Sequence, residues 1–114
     1  MYTAAREIEA RLTSLQEKMA ATGLGAAILV QNTDLYYFTG SCQAGHLVVP
    51  ARGEPVYLVC KSLERARLES LLGSIRQQHA FADVAAVLKE VAPGAKTVGL
   101  ELDMKTASAV TENR

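Results

Sequence analysis

Residues 25–45 of the chain read GAAILVQNTDLYYFTGSCQAG and contain its clearest structural signals. The apolar run at positions 26–30 is opened by Gly25 and followed by two amide side chains, a pattern that predicts a buried strand. Three of the six aromatic residues come next, at positions 36–38, and the tract stops at Gly40. Sites and interfaces of α/β proteins often lie beside strand ends and are rich in aromatic side chains. We therefore expect this stretch to carry a core strand and a functional surface.

The segments around this stretch show the periodicity of helices that cover a sheet. The first helix has an apolar stripe at three- and four-residue steps, formed by Ile8, Leu12, Leu15 and Met19. Ser62 is expected to cap a second helix, whose predicted apolar face is Leu63, Ala66, Leu68, Leu71 and Leu72. Asp83 is expected to cap a third helix, and Met104 to begin a helix that is still running at the end of the chain.

The remaining strands define the fold class. Residues 46–50 and 55–60 are predicted strands joined by four residues that include a glycine, as in an antiparallel hairpin. Further strands are predicted around Ile75 and at 97–102, and Cys60 is expected in the core. Strands separated by helices are expected to be parallel neighbours. The sequence thus predicts one α/β layered domain with a mixed sheet of about five strands and helices on both faces.

Composition excludes several classes of protein. The 114 residues suit one domain, and twelve basic against twelve acidic side chains give a net charge of zero. No segment concentrates basic residues as a nucleic-acid binder would. The apolar runs are shorter than the roughly 20 residues of a membrane helix, and the N-terminus lacks the pattern of a secretory signal. We expect a cytoplasmic protein without nucleic-acid or membrane partners.

The chain offers few residues for catalysis or metal binding. Its two cysteines, Cys42 and Cys60, and its two histidines, His46 and His79, show no metal-ligand spacing, so we expect free thiols and no metal site. Ser41 follows a glycine but lacks the G-x-S-x-G frame of a nucleophile elbow. No catalytic residue is predicted in these 114 residues.

The tract after the first strand resembles a known family signature. Asp34-Leu35-x-Tyr37-Phe38-Thr39-Gly40 is similar to the Asn-Ile-x-Tyr-Leu-Thr-Gly signature of the creatinase/prolidase N-terminal domain. Asp34 stands where the signature has asparagine, and Phe38 where it has leucine. The order of helices, hairpin and final strand also resembles this family over essentially the whole chain. The resemblance implies a ribonuclease-H-like topology, without nuclease chemistry, since function lies in sites and not in folds.

The resemblance also implies a function for the chain as part of a larger protein. The family domain is the accessory domain of Xaa-Pro peptidases, aminopeptidase P and creatinase, and it precedes a C-terminal "pita-bread" catalytic domain. That domain holds two divalent metal ions (Mn, Co or Zn) through two Asp, one His and two Glu, and it is absent from residues 1–114. We therefore expect a fragment of a longer chain. Its implied partners are its own C-terminal catalytic domain, a second copy in a homodimer, and a peptide substrate.

The candidate site follows from the same resemblance. The family domain acts as a lid and dimer module whose loops approach the neighbouring subunit. The residues expected in a substrate-access or interface loop are Tyr36, Ser41, Cys42, Gln43 and Ala44. The Gln43 amide is expected to hydrogen-bond a substrate terminus, because binding residues concentrate on scaffolded loops. Tyr37 and Phe38 are expected to anchor a helical turn on the sheet, because aromatic side chains dominate core burial.

Two alternative functions stay open at this point. The chain could be a stand-alone α/β ligand-binding or regulatory domain that shares only the architecture of the family. It could also be the N-terminal domain of a creatinase-type amidinohydrolase, because the same accessory domain precedes that activity. The side chains that separate dipeptidase, aminopeptidase and creatinase lie mostly downstream of this chain.

Overall fold

The computed structural model of the protein describes residues 5–100. These residues contain four helices and five strands. In chain order they are α1 (Ala5–Thr22), β1 (Ala26–Leu29), α2 (Asn32–Thr39), β2 (Gly45–Pro50), β3 (Val56–Val59), α3 (Leu63–Glu69), β4 (Ile75–Gln77), α4 (Ala82–Val91) and β5 (Val98–Leu100). The helix expected from Met104 onward and the end of the last strand lie outside the described residues.

The strands form one mixed sheet in the order β4-β3-β2-β1-β5, which confirms the predicted fold class. The hairpin is confirmed, because β2 and β3 pair antiparallel, with Gly45 opposite Val59. The outer strands pair parallel, β4 with β3 and β5 with β1. Four strands therefore run in one direction, and β2 alone runs in the other.

The connection between β1 and β2 differs from the expectation of parallel neighbours. These strands pair antiparallel, with Ala26 opposite Pro50 and Leu29 opposite Leu47. The chain therefore leaves β1 and enters β2 at the same end of the sheet, although α2 lies between the two strands. A helix of eight residues spans about 12 Å, and the loop that follows α2 returns the chain to that end.

The two faces of the sheet are covered by different helices because successive strand residues point to opposite sides. One face packs under α1, α2 and α3, and its buried residues include Leu29, Leu47 and Tyr57. The other face packs under α4, where Val84 and Val87 are buried. The predicted stripe of α1 is confirmed, since three of its residues, Ile8, Leu12 and Met19, are buried and Leu15 packs against them.

Several local expectations are wrong. α3 ends at Glu69, so Leu71 lies beyond the helix, and Leu68 and Leu71 are exposed. Cys60 is also exposed, because it lies just past the last residue of β3. Asp83 lies inside the first turn of α4 and not at its cap position. Its carboxylate accepts hydrogen bonds from two backbone N–H groups just before the helix, at 2.7 and 3.0 Å, which lowers its pKa.

Candidate functional site: the loop after α2

The helix α2 is anchored on the sheet mainly by Leu35 and Thr39, with Phe38 as a partly buried contact. Leu35 and Thr39, one turn apart, are fully buried, whereas Tyr36 and Tyr37 are about half exposed. Phe38 is partly buried against the core, and its ring meets that of Tyr37 edge to face at 4.9 Å. The expected anchoring role is therefore wrong for Tyr37, and Leu35 fills it instead. An i, i+4 spacing on a short helix puts Leu35 and Thr39 on the same buried face.

The end of α2 is closed by Thr39 and Gly40. Gly40 has φ 86°, a left-handed conformation that favours glycine, and its N–H donates to the Tyr36 carbonyl at 2.9 Å. The Thr39 hydroxyl donates to the Leu35 carbonyl at 2.6 Å and accepts the Ser41 N–H at 2.9 Å. These bonds satisfy backbone groups that the helix end leaves open. The Thr-Gly step of the signature thus has a local physical role.

The residues that follow form the access loop, which we define as residues 41–44. Ser41 is buried, and its hydroxyl donates to Oε1 of Glu69 at 2.7 Å. The same serine oxygen accepts the Gln43 N–H at 3.3 Å, and the Gln43 side-chain nitrogen lies 3.4 Å from the same Glu69 oxygen. Glu69 is the last residue of α3, so the loop is fastened to a neighbouring helix.

A second fastening comes from the sheet. The buried Tyr57 on β3 donates its hydroxyl hydrogen to the Gln43 carbonyl at 2.6 Å. Its oxygen also lies 3.5 Å from the Ser41 hydroxyl. Burial is the main cause that raises the pKa of Tyr57, because the phenolate would lose its solvation there. The phenol therefore stays a hydrogen-bond donor at neutral pH.

The outer end of the loop is set by a close approach at Gly45. A Cβ at this position would lie 1.9 Å from the Leu58 carbonyl oxygen of the adjacent strand. Beside it, the Cys60 N–H donates to the Ala44 carbonyl at 3.0 Å. Cys42 and Ala44 are exposed and Gln43 is partly exposed, so these side chains form the outward surface of the loop.

A hollow of about 320 Å³ lies next to the loop. It is lined by Ile8, Tyr36, Thr39, Gly40, Leu68, Glu69 and Leu71. Three exposed apolar side chains, those of Tyr36, Leu68 and Leu71, surround it. Tyr36 therefore lies beside the access loop, across the same stretch of surface. A larger open groove of about 1020 Å³ runs along α3 and past Gln77, away from the signature.

The residues predicted for the site do not all lie on one surface. The structure places Ser41 inside, Gln43 at the rim and Cys42 and Ala44 outside. Asp34 of the signature has a buried carboxylate oxygen, Oδ2, without a hydrogen-bond partner among residues 5–100. The prediction of these residues as an access or interface surface stays a prediction.

Three contributing residues were missed by the sequence analysis. Glu69 and Tyr57, which hydrogen-bond the access loop, were not among the residues predicted for the site. Arg11 was not predicted either, and its guanidinium lies 4.1 Å above the Tyr37 ring and donates to the Tyr37 carbonyl at 2.8 Å. One signal in the sequence could have pointed to Glu69. It ends a helix, where negative charge is unfavourable, and such a residue often has another partner.

Residues 5–100 contain neither a cluster of metal ligands nor a membrane-spanning helix. No group of three or more His, Cys, Asp or Glu side chains in this range is arranged to hold a metal ion. None of the described helices has the length and apolar character needed to cross a bilayer. Both cysteine thiols are free.

Comparison with solved structures identifies the class of fold. The chain is similar to a Xaa-Pro dipeptidase from Bacillus anthracis (TM-score 0.72, 18% identity, 92% of this chain and 31% of that one). It is similar to a prolidase from Pyrococcus furiosus (TM-score 0.69, 22% identity, 90% and 32%). It is also similar to the N-terminal domain of the cytoplasmic peptidase PepQ from Mycobacterium tuberculosis (TM-score 0.72, 22% identity, 90% and 84%). The fold is thus that of an α/β domain found in Xaa-Pro peptidases, and the chain spans about a third of the first two proteins.

The sequence itself establishes the family. Residues 11–113 match the family described as the creatinase/prolidase N-terminal domain. The chain therefore belongs to the creatinase/prolidase N-terminal domain family. A search of curated proteins found no significant match.

Proposed function

We propose that the chain is the non-catalytic N-terminal domain of a metal-dependent Xaa-Pro peptidase of the prolidase or aminopeptidase P type. In this role it contributes to dimer assembly and shapes the access of peptide substrates to an active site in a C-terminal domain. The proposal is supported by the family membership and by the one-third share of the dipeptidase and prolidase structures that this chain covers. The two divalent metal ions, manganese, cobalt or zinc, would be held by the C-terminal domain.

The observation that carries the access role is the construction of the access loop. Its inner side is fastened by Ser41 and by the Gln43 backbone, while Cys42, Ala44 and the Gln43 amide face outward. A preorganised loop loses little conformational freedom when it meets a ligand, which favours binding. The small side chains of Cys42 and Ala44 permit close approach, and the Gln43 amide supplies both donors and an acceptor.

The substitution Gln43→Ala tests the access role in the full-length peptidase. It removes the side-chain amide but keeps the Gln43 N–H and C=O bonds that hold the loop. We expect the KM for a Xaa-Pro peptide to rise about 2- to 13-fold, the loss of one hydrogen bond of ordinary strength. Lys89→Ala, an exposed change on α4 across the sheet, is the control. An unchanged KM and kcat for Gln43→Ala would remove the loop from the substrate site.

A second experiment tests the assignment to a peptidase. The full-length protein is assayed on Xaa-Pro dipeptides, longer Xaa-Pro peptides and creatine, with and without a chelator. We expect chelator-sensitive cleavage of a proline-containing peptide by the full-length protein, and none by residues 1–114 alone. Turnover of creatine alone would favour the amidinohydrolase. A parent gene that encodes no further domain would favour a stand-alone regulatory module.

Dimer assembly and location belong to the same proposal. Light scattering of the full-length protein should give the mass of a homodimer. The proposal includes a cytoplasmic location, as for the M. tuberculosis peptidase whose N-terminal domain this chain resembles. Cell fractionation that finds the full-length protein outside the cytoplasm would contradict that part.

A further inference from the structure

We propose that Glu69 is a positioning residue that holds the access loop from the neighbouring helix and so presents the Gln43 side chain. The inference deepens the proposed function, and its effect on catalysis rests on that function. The effect on the loop itself does not, and it can be measured on the chain alone.

One carboxylate oxygen contacts two residues of the loop. Oε1 of Glu69 accepts the Ser41 hydroxyl hydrogen at 2.7 Å and lies 3.4 Å from the Gln43 side-chain nitrogen. With its hydrogen committed to Glu69, the Ser41 hydroxyl presents a lone pair to the Gln43 N–H at 3.3 Å. The carboxylate thus sets the direction of the Ser41 hydroxyl and, through it, the backbone of Gln43.

The position of Glu69 is not explained by the helix that carries it. Glu69 ends α3, where the negative end of the helix dipole disfavours an acidic side chain. Its ion pair with Arg65 is long, 3.9 Å, and the arginine side chain is 71% exposed, so this pair adds little. The contacts that favour a glutamate at this position are therefore those with Ser41 and Gln43.

The backbone brings the two helix ends within reach. A Cβ on Gly40 would lie 3.3 Å from the Glu69 carbonyl oxygen, so the ends of α2 and α3 meet at this glycine. The short distance lets the carboxylate contact Ser41 directly and leaves its side chain about one third exposed. Glu64 at the start of α3 is exposed and supplies a matched control on the same helix.

Hydrogen exchange followed by NMR tests the inference on the 114-residue chain. We expect Glu69→Ala to lower the protection of the Gln43 backbone N–H about tenfold or more. The Ser41 hydroxyl then loses its bond to a charged acceptor, and with it the orientation in which it accepts the Gln43 N–H. Glu69→Gln keeps an acceptor oxygen and should restore most of that protection. Glu64→Ala should change nothing. The backbone N–H of Ser70, the residue after α3, donates to the Ala66 carbonyl and reports whether the end of the helix is intact in each variant.

Three results would overturn the inference. The first is that the Gln43 backbone N–H keeps its protection in Glu69→Ala. The second is that its protection falls as far in Glu69→Gln as in Glu69→Ala. The third is that protection falls equally at Ser70 and Gln43. A double-mutant cycle of Glu69→Ala with Ser41→Ala adds an equilibrium test. The two changes should be non-additive by a factor of about 2 or more in the unfolding constant, and strict additivity would also overturn the inference.

Kinetics of the full-length peptidase separate this inference from the proposed function. Glu69→Ala should raise the KM in the same way as Gln43→Ala, and Glu69→Gln should restore it. If Glu69→Ala lowers the protection of the Gln43 backbone N–H but leaves the KM unchanged, the positioning role stands and the access role is contradicted. Unchanged exchange would reject the positioning role, and the Gln43→Ala assay would still judge the access role.

Discussion

The connection 30–44, which contains α2, and the connection 78–97, which contains α4, are built differently. Both dock apolar side chains on the sheet, Leu35 in one and Val84 in the other. In the first, the polar groups of Thr39 and Ser41 are buried and hydrogen-bonded. In the second, no polar residue of 78–97 is buried: the hydrogen bonds of the Asp83 carboxylate are exposed, and the bond between Gln78 and His46 is only partly buried.

This difference in the burial of polar groups indicates which connection is held more strictly in one conformation. A buried polar group that loses its partner costs more than an exposed one, which can bond to water. The arrangement of the first connection is therefore the more strongly constrained of the two. The second connection mainly covers the sheet.

The largest effect is expected from removing the apolar side chains that dock both connections on the sheet. Leu35→Ala should lower the free energy of unfolding by about 2–5 kcal/mol, because a fully buried leucine leaves a cavity. Val84→Ala should cost about 1.5 kcal/mol, since it removes fewer buried groups. Urea unfolding measures both. Leu68→Ala, at a leucine that is 83% exposed, is the control and should stay within about 0.5 kcal/mol of the native chain. A Leu35→Ala variant as stable as the control would show that α2 does not anchor the first connection.

The next effect concerns the buried polar groups of the first connection. Thr39→Val keeps the size of the side chain but leaves the Ser41 N–H without its acceptor. We expect a loss of about 1–3 kcal/mol by urea unfolding, the cost of an unpaired buried donor. Thr33→Val, on the exposed side of the same helix, should have a much smaller effect. Equal effects of the two substitutions would remove the contrast between the connections.

Tyr57→Phe should have a moderate effect that depends on pH. The loss of the bond to the Gln43 carbonyl should cost about 0.5–1.5 kcal/mol at neutral pH. Burial raises the pKa of Tyr57, so the unfolded chain releases this proton at lower pH than the folded chain does. The stabilisation is complete below pH 10 and declines as the pH rises through 10 toward the pKa of the folded state. The difference in melting temperature between the native chain and Tyr57→Phe should therefore narrow above pH 10, and a constant difference would contradict this account.

The smallest effect belongs to the second connection. Arg76 and Glu90 form a two-point ion pair at 2.7 and 3.0 Å, and both side chains are substantially exposed. The hydrogen bonds and charge of Arg76 lower the pKa of Glu90, so any stabilisation is present at neutral pH and is lost as the pH falls below the usual glutamate range. Arg76→Ala should lower the melting temperature only slightly, because exposed ion pairs contribute little. In about 0.5 M salt this small difference should disappear, because salt screens surface charges. A large fall in melting temperature that does not depend on salt would contradict this account of the second connection.

Much of the fold could be predicted from the sequence because apolar periodicity reports burial. The stripe of α1, the hairpin of β2 and β3 and the weak strand at Ile75 all carry local signals, and the structure contains each of them. The direction of β1 relative to β2 could not be predicted in this way. It depends on where the loop after α2 leads the chain, and no pattern in the strands encodes that path.

The site was less accessible to sequence reasoning. Residues 36 and 41–44 stand out as an aromatic and small-residue tract, but the partners that hold them lie far along the chain. Tyr57 is separated from Gln43 by 14 residues, and Glu69 from Ser41 by 28. Tyr37 was misjudged because its ring covers Arg11 at the surface and does not enter the core.

The close packing of Gly45 against Leu58 has a consequence for how this domain can change. Because even a methyl group at Gly45 would overlap the Leu58 carbonyl oxygen, only glycine fits at the start of β2 while this strand pairs with β3. Cys42 and Ala44, which face outward, can then be exchanged for larger or charged residues while the stem beneath them stays the same. We therefore expect any substitution at Gly45 to displace the backbone, and substitutions at Cys42 and Ala44 to change the outer surface of the loop without changing the fold.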